Sequence, residues 1–97
     1  MAKTLTIVAH ARAKPGMEQK MIEAQIQLVE ATRGTVGCLR YELHLSNHNP
    51  AETSFVEEWE SYDAWHAHMS SERIRNFQRT AGSTIGSFQL HEMQQIS

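Results

Sequence analysis

The sequence predicts an α+β fold of the ferredoxin-like type: a four-stranded antiparallel sheet with two helices on one face. Three observations predict it. Stretches that alternate every two residues and stretches that repeat every three to four follow each other in the order β-α-β-β-α-β. Turn residues mark each switch of period. The length, 97 residues, suits one domain spanning 1–97, near the size at which small domains lean on a partner subunit.

The first strand is "TLTIVAHAR", with Leu5, Ile7, Ala9 and Ala11 on one face and Thr6, Val8, His10 and Arg12 on the other. It ends at the turn "AKPG". From Met17 the period lengthens: Met17, Met21, Ala24, Leu28 and Ala31 form a helical stripe widened by Ile22, Ile26 and Val29, and Gly34 closes it with Gly37 just beyond. "CLRYELHLS" alternates again, with Leu39, Tyr41, Leu43 and Leu45 set against Cys38, Arg40, Glu42 and His44. The turn "NHNP" leads into "TSFVEEWES", where Phe55, Glu57 and Trp59 share a face.

Ser61 is the expected N-cap of the second helix, with Asp63 placed to suit the helix dipole. That helix is expected to break or bend at Ser70-Ser71, restart through Ile74 and Phe77, and end at Gly82. "GSFQLHEMQQI" supplies the last strand. A sheet with both helices on one face leaves its other face to be covered, so the layer rule predicts a homodimer packed through the sheets.

Composition narrows the function classes. Nine basic and eleven acidic residues give a formal charge of −2 without a basic run, which argues against nucleic acid and anionic membranes as partners. The N-terminal apolar run is too short for a signal peptide, and no stretch approaches the ~20 apolar residues of a membrane span. With a single cysteine, Cys38, a reducing, cytoplasmic setting is expected. No glycine-rich phosphate loop, GxSxG elbow or nucleotide fingerprint is present, so any redox chemistry is expected to run without a conventionally bound flavin or nicotinamide.

Six histidines raise the question of a metal. His66 and His68 lie ~200° apart on a helix and cannot chelate one ion from the same face, and there is no HExxH or second thiolate, so no metal site is expected. The two separate by direction. His68 shares the helix face of Ala64 and Trp65 and points inward, whereas His66 points out. An inward imidazole is either a core residue bonded to a backbone carbonyl or to an acid such as Glu57, or a neutral base facing a pocket. Trp59, Trp65, Phe55, Phe77 and Tyr41 are core by default; converging with His68 in so small a domain, they would wall a pocket for a flat aromatic ligand. His10 and Arg12 lie on the polar face of the first strand, where they are solvated, at a pocket mouth, or in a dimer interface.

In order, "AKPG", "GTVGCLRYELHLSNHNP", "FVEEWES" and "AWHAHMSS" resemble the antibiotic biosynthesis monooxygenase family, whose pattern runs KPG, GCxxYxL, a turn with Pro, F-x-E-x-W and A-x-x-x-H-x-x-S. The resemblance spans about residues 5–93. It implies a dimeric α/β barrel with a pocket in each protomer and, for some members, cofactor-independent oxygenation of quinols, anthrones and other electron-rich aromatics. By this likeness the family histidine falls on His68, the ExW pair on Glu57 and Trp59, and the second-strand tyrosine on Tyr41. His68 would be the catalytic base, with Trp65, Trp59, Tyr41, Phe55, Phe77, Glu57 and His10 around the substrate. Haem-degrading members use a first-strand asparagine and a histidine later in the second helix; here the first strand has no asparagine and the region after Phe77 reads "QRTAG", without a histidine. The alternatives are a non-catalytic barrel that binds a hydrophobic metabolite, or an isomerase of a small signalling metabolite, for which Arg12, Arg40 and Arg73 would be the phosphate contacts.

Overall fold

The computed structural model describes residues 4–97, so the first three residues of the N-terminal stretch considered for a signal sequence lie outside it. The elements are β1 (Leu5–Ala13), α1 (Glu18–Thr32), β2 (Cys38–Leu45), β3 (Glu52–Trp59), α2 (Tyr62–Met69), α3 (Glu72–Ala81) and β4 (Ile85–Met93), with a 3-10 turn at Gly82–Thr84. All sheet pairings are antiparallel, in the order β2-β3-β1-β4. This is the expected ferredoxin-like topology. The second helical segment is divided in two, so the α-helices among the described residues number three.

Alternation on β1 holds: Ile7, Ala9, Ala11 and Ala13 are buried against the helices, while His10 and Arg12 point the other way. On β3 the inner face carries Thr53, Phe55, Glu57 and Trp59. Strand β2 departs from simple alternation. Cys38 pairs with Trp59 but Arg40 with Glu58, so one extra residue is accommodated there. That bulge turns Leu39 outward, half-exposed, and brings Cys38 into contact with the core in its place. The alternation that sets Leu39 on one face with Tyr41 and Leu43 is thus corrected at Leu39, while Tyr41 and Leu43 pack inward beyond the bulge.

Helix α1 buries Met21, Leu28 and Val29, but also Gln25 and Thr32, whereas Ile26 and Ala31 are exposed. Hydrogen bonds offset part of the cost of burying this polar pair: the Thr53 hydroxyl donates to Gln25 Oε1 at 2.9 Å, and the Thr32 hydroxyl donates to the Leu28 carbonyl at 2.7 Å, while Gln25 Nε2 has no partner among the described residues. After α1, Gly37 adopts φ +84° and packs so tightly that an added Cβ would sit 2.6 Å from the Cβ of Ala64, fixing the approach of α2 to the start of β2.

Ser61 caps α2, its side chain accepting from the Ala64 N–H at 3.1 Å. At Ser70-Ser71 the helix stops, and Ser71 caps α3 by accepting from the Ile74 N–H while donating to the His68 carbonyl at 2.6 Å. One core cluster gathers Ile7, Leu28, Tyr41, Phe55, Trp59, Trp65 and Ile74 between sheet and helices. No helix among the described residues is long and apolar enough to cross a membrane.

Candidate active site

On the inner sheet face β3 and β2 run side by side in a register that pairs Glu57 with Tyr41 and Phe55 with Leu43. Above them α2 lowers His68, which is only 2% exposed. Its imidazole lies against the Trp59 indole, ring centroids 4.6 Å apart at 32°, and meets the Tyr41 ring edge-on at 5.4 Å. His66, two residues earlier, is exposed beside Tyr62. Helical periodicity therefore separates the two histidines as expected.

Neither a backbone carbonyl nor Glu57 is the partner of His68. Its Nε2 lies 3.4 Å from the Tyr41 hydroxyl and its Nδ1 2.9 Å from Nη2 of Arg73. Arg73 belongs to α3, five residues on. In an unbroken helix residues five apart diverge by ~140°, so the interruption at Ser70-Ser71 is what lets the guanidinium reach back. Burial, with Arg73's charge as the second cause, pushes the His68 imidazole down to about 4. The ring is neutral at physiological pH.

Glu57 is buried on the sheet. Its Oε1 accepts from the Trp59 indole N–H at 2.8 Å, and no salt-bridge partner faces it among the described residues. Burial pushes its carboxyl up to about 7, against the Trp59 hydrogen bond, which favours the ionised form. The Tyr41 phenol is driven well above its usual value by burial and by the negative field of Glu57.

These three polar groups border a cavity of about 200 Å³ between sheet and α3. Its remaining walls are mostly apolar: Ala9, Leu28, Phe55, Met69, Ile74, Phe77, Ile85, Phe88 and Leu90, with Gln78 at the α3 side. Of the residues singled out in the sequence, Tyr41, Phe55, Glu57, His68 and Phe77 line this space. Trp59 stands behind it, stacked on His68 and bonded to Glu57.

Trp65 and His10 do not line it. Trp65 is core, edge-on to Tyr62, with its indole N–H unpartnered. His10 lies on the opposite sheet face because it is out of phase with Ala9 and Ala11; its Nδ1 is 2.7 Å from the Ser54 hydroxyl and its ring edge-on to His91. The depression around it, about 560 Å³, is larger but of mixed character, bordered by Arg12, His44, Glu52 and Ser54 together with Leu45 and Phe88. Size favours that depression; chemistry favours the smaller cavity, where apolar walls and a few convergent groups of shifted proton affinity coincide.

Arg73 and the β4 residues Phe88 and Leu90 are the site features that the sequence motifs miss. Alternation in "GSFQL" carries the signal for the β4 pair, whereas nothing in local spacing points Arg73 at His68.

An α+β sandwich with an apolar cavity and a few buried polar groups is a fold with room for a small molecule. The antibiotic biosynthesis monooxygenase model matches residues 4–80, and the chain belongs to that family. Among solved structures, PA3566 from Pseudomonas aeruginosa superposes with a TM-score of 0.94 at 25% identity, covering 100% of this chain and 98% of its own. SO0527 from Shewanella oneidensis gives 0.91 at 28% identity, over 98% of this chain and 93% of its own. A third, an antibiotic biosynthesis monooxygenase, aligns at 0.89 over 96% of this chain and 99% of its own; at 23% identity its likeness is one of fold. No match is found among curated proteins.

Proposed function

We propose that this protein is a cofactor-independent monooxygenase that oxidises a small electron-rich phenol or quinol with O2. The observation that carries the proposal is the apolar cavity in which, among the described residues, only the side chains of Tyr41, Glu57, His68 and Gln78 offer polar groups. Such a space suits a substrate that does its own redox work: its phenolic O–H gives up the proton, the phenolate passes an electron to O2, and the radical pair joins at a ring C–H carbon as a peroxide. Loss of water then leaves the quinone, one oxygen atom going to product and one to water. The protein's part is to hold the ring dry, accept the proton and stabilise the anion by hydrogen bonding.

Cavity volume favours one or two fused rings over a three-ring anthrone, since apolar cavities of about 150 Å³ take benzene. A second copy packed on the outer sheet face, where Val8 and Val56 pair among His10, His91 and Met93, completes the proposed homodimer. The reducing, cytoplasmic setting proposed for it accords with the unpaired Cys38 thiol.

Oxygen uptake with a panel of one- and two-ring quinols and naphthols tests the function, with product quinone followed by absorbance. The expected result is catalysed uptake that fails in Phe77→Trp, where the larger ring fills the cavity. Retention of an aromatic ligand with no uptake from any member of the panel would instead identify a binding protein.

A further inference from the structure

We propose that Glu57, and not His68, takes the substrate's phenolic proton, while Arg73 holds His68 as an Nε2–H tautomer that serves as a hydrogen-bond donor. The proposal rests on the oxygenase function above and assigns the proton-accepting atom within the same cavity.

The geometry at His68 is decisive. A guanidinium has donors only, so the contact from Arg73 Nη2 at 2.9 Å makes Nδ1 the acceptor. A neutral imidazole has a single acceptor nitrogen. Its lone pair is therefore occupied, and the ring proton sits on Nε2, directed toward the Tyr41 hydroxyl at 3.4 Å. To act as a base, His68 would have to release Arg73 and then carry a second positive charge beside it, in a position that is 2% exposed. Burial and the neighbouring cation both oppose that charge.

Glu57 has the complementary properties. It borders the cavity, one carboxylate oxygen is occupied by the Trp59 indole, and the other has no hydrogen bond within the described residues. The groups that act on it or feel its field are the Tyr41 phenol and Cys38 thiol on β2 and the Trp59 indole on its own strand. None of them is a cation. Its proton affinity, near 7, is matched to reversible transfer at neutral pH.

In the step itself the phenolic O–H bond breaks and a carboxyl O–H bond forms on Glu57. The electron pair left on the phenolate feeds O2, and the Glu57 proton returns to the peroxide as it forms. Glu57 then takes the ring proton from the carbon bearing the peroxide, the O–O bond breaks, and the same carboxyl protonates the departing hydroxide as water. His68 Nε2–H donates to the Tyr41 hydroxyl throughout, which leaves the Tyr41 O–H to donate to the phenolate oxygen.

The test combines spectroscopy on wild type with kinetics. Nitrogen-15 NMR of labelled wild-type protein at pH 7 is expected to show a protonated Nε2 and an unprotonated Nδ1 at His68; the opposite tautomer overturns the proposal with no substrate needed. With a turned-over naphthol, Glu57→Gln is expected to lose about 100-fold or more in kcat, together with the acidic limb of the pH profile near 7, and Glu57→Asp to recover part of the rate. His68→Gln, which keeps an N–H donor, is expected to keep at least about a tenth of the rate and the same limb. If Glu57→Gln keeps the rate and the limb while His68→Gln loses both, His68 is the base. A wild type that consumes no oxygen with any phenol refutes the oxygenase function, and the tautomer result still stands or falls by itself.

Discussion

Replacing Glu57 by glutamine should alter how stability depends on pH, by an amount that follows from the burial of that one carboxyl. Its folded-state affinity, pushed up to about 7 from an ordinary 4.5, means that the protein holds the proton through a window in which the unfolded chain has lost it. The stabilisation is complete below about pH 4.5 and is lost as pH rises through 7. Over that window wild type gives up about 3 kcal/mol from this group, at about 1.4 kcal/mol per pH unit. The amide introduced by Glu57→Gln is neutral at every pH and can still accept from Trp59, so the variant avoids the loss.

His68 works in the opposite sense: its affinity is lowered to about 4, so its contribution is present above 6.5 and lost as pH falls through 4. Between about 4.5 and 6.5 the two slopes nearly cancel in wild type. The expected observation, from urea unfolding followed by tryptophan fluorescence at fixed protein concentration, is a stability difference (variant minus wild type) that grows by about 3 kcal/mol between pH 4.5 and 7.5. Groups elsewhere contribute equally to both proteins and drop out of the difference. A difference constant across that range would show that Glu57 titrates normally and would refute the account of the site.

Removing the cation in Arg73→Met should raise the His68 pKa from about 4 toward its ordinary value, only part of the way because burial is the larger cause, as read by NMR titration of the ring. Thr53→Val leaves Gln25 Oε1 without its donor in a fully buried position and should cost about 1–3 kcal/mol in chemical unfolding; adding Gln25→Leu should recover part of that, because both unpaired groups are then gone. Gly37→Ala should destabilise by about 1–3 kcal/mol through its positive φ and the clash with Ala64, and Ala64→Gly in the same chain should relieve the clash while leaving the backbone cost.

Much of the fold is legible because it is written in short-range periods. The inward row of β1, the Ser61 cap and the break at Ser70-Ser71 follow from alternation, from a hydroxyl placed before a helical run, and from paired serines within one. Leu39 escapes such reasoning because a bulge shifts phase without leaving a composition signal. Gln25 escapes it because its burial depends on a hydroxyl from another element, Thr53. At the site, Tyr41, Glu57 and His68 are found by pattern because each sits in phase with a core face. Trp65 is in phase too, yet packs with Tyr62 away from the cavity, since phase fixes direction and not distance along the sheet. Arg73 depends on the angle between two helices, a quantity that no local pattern encodes.

The two-serine joint between α2 and α3 makes the character of the His68 imidazole depend on the length of a connection. Each residue of helix turns its successor by ~100°. One residue inserted or removed at Ser70-Ser71 would therefore swing the Arg73 guanidinium away from Nδ1 without changing the identity of any residue that borders the cavity. The freed nitrogen would become a proton acceptor. Two descendants of this chain with identical pocket walls could thus run different acid–base chemistry, so a small insertion or deletion at this joint is a route by which the scaffold can diversify its reactions.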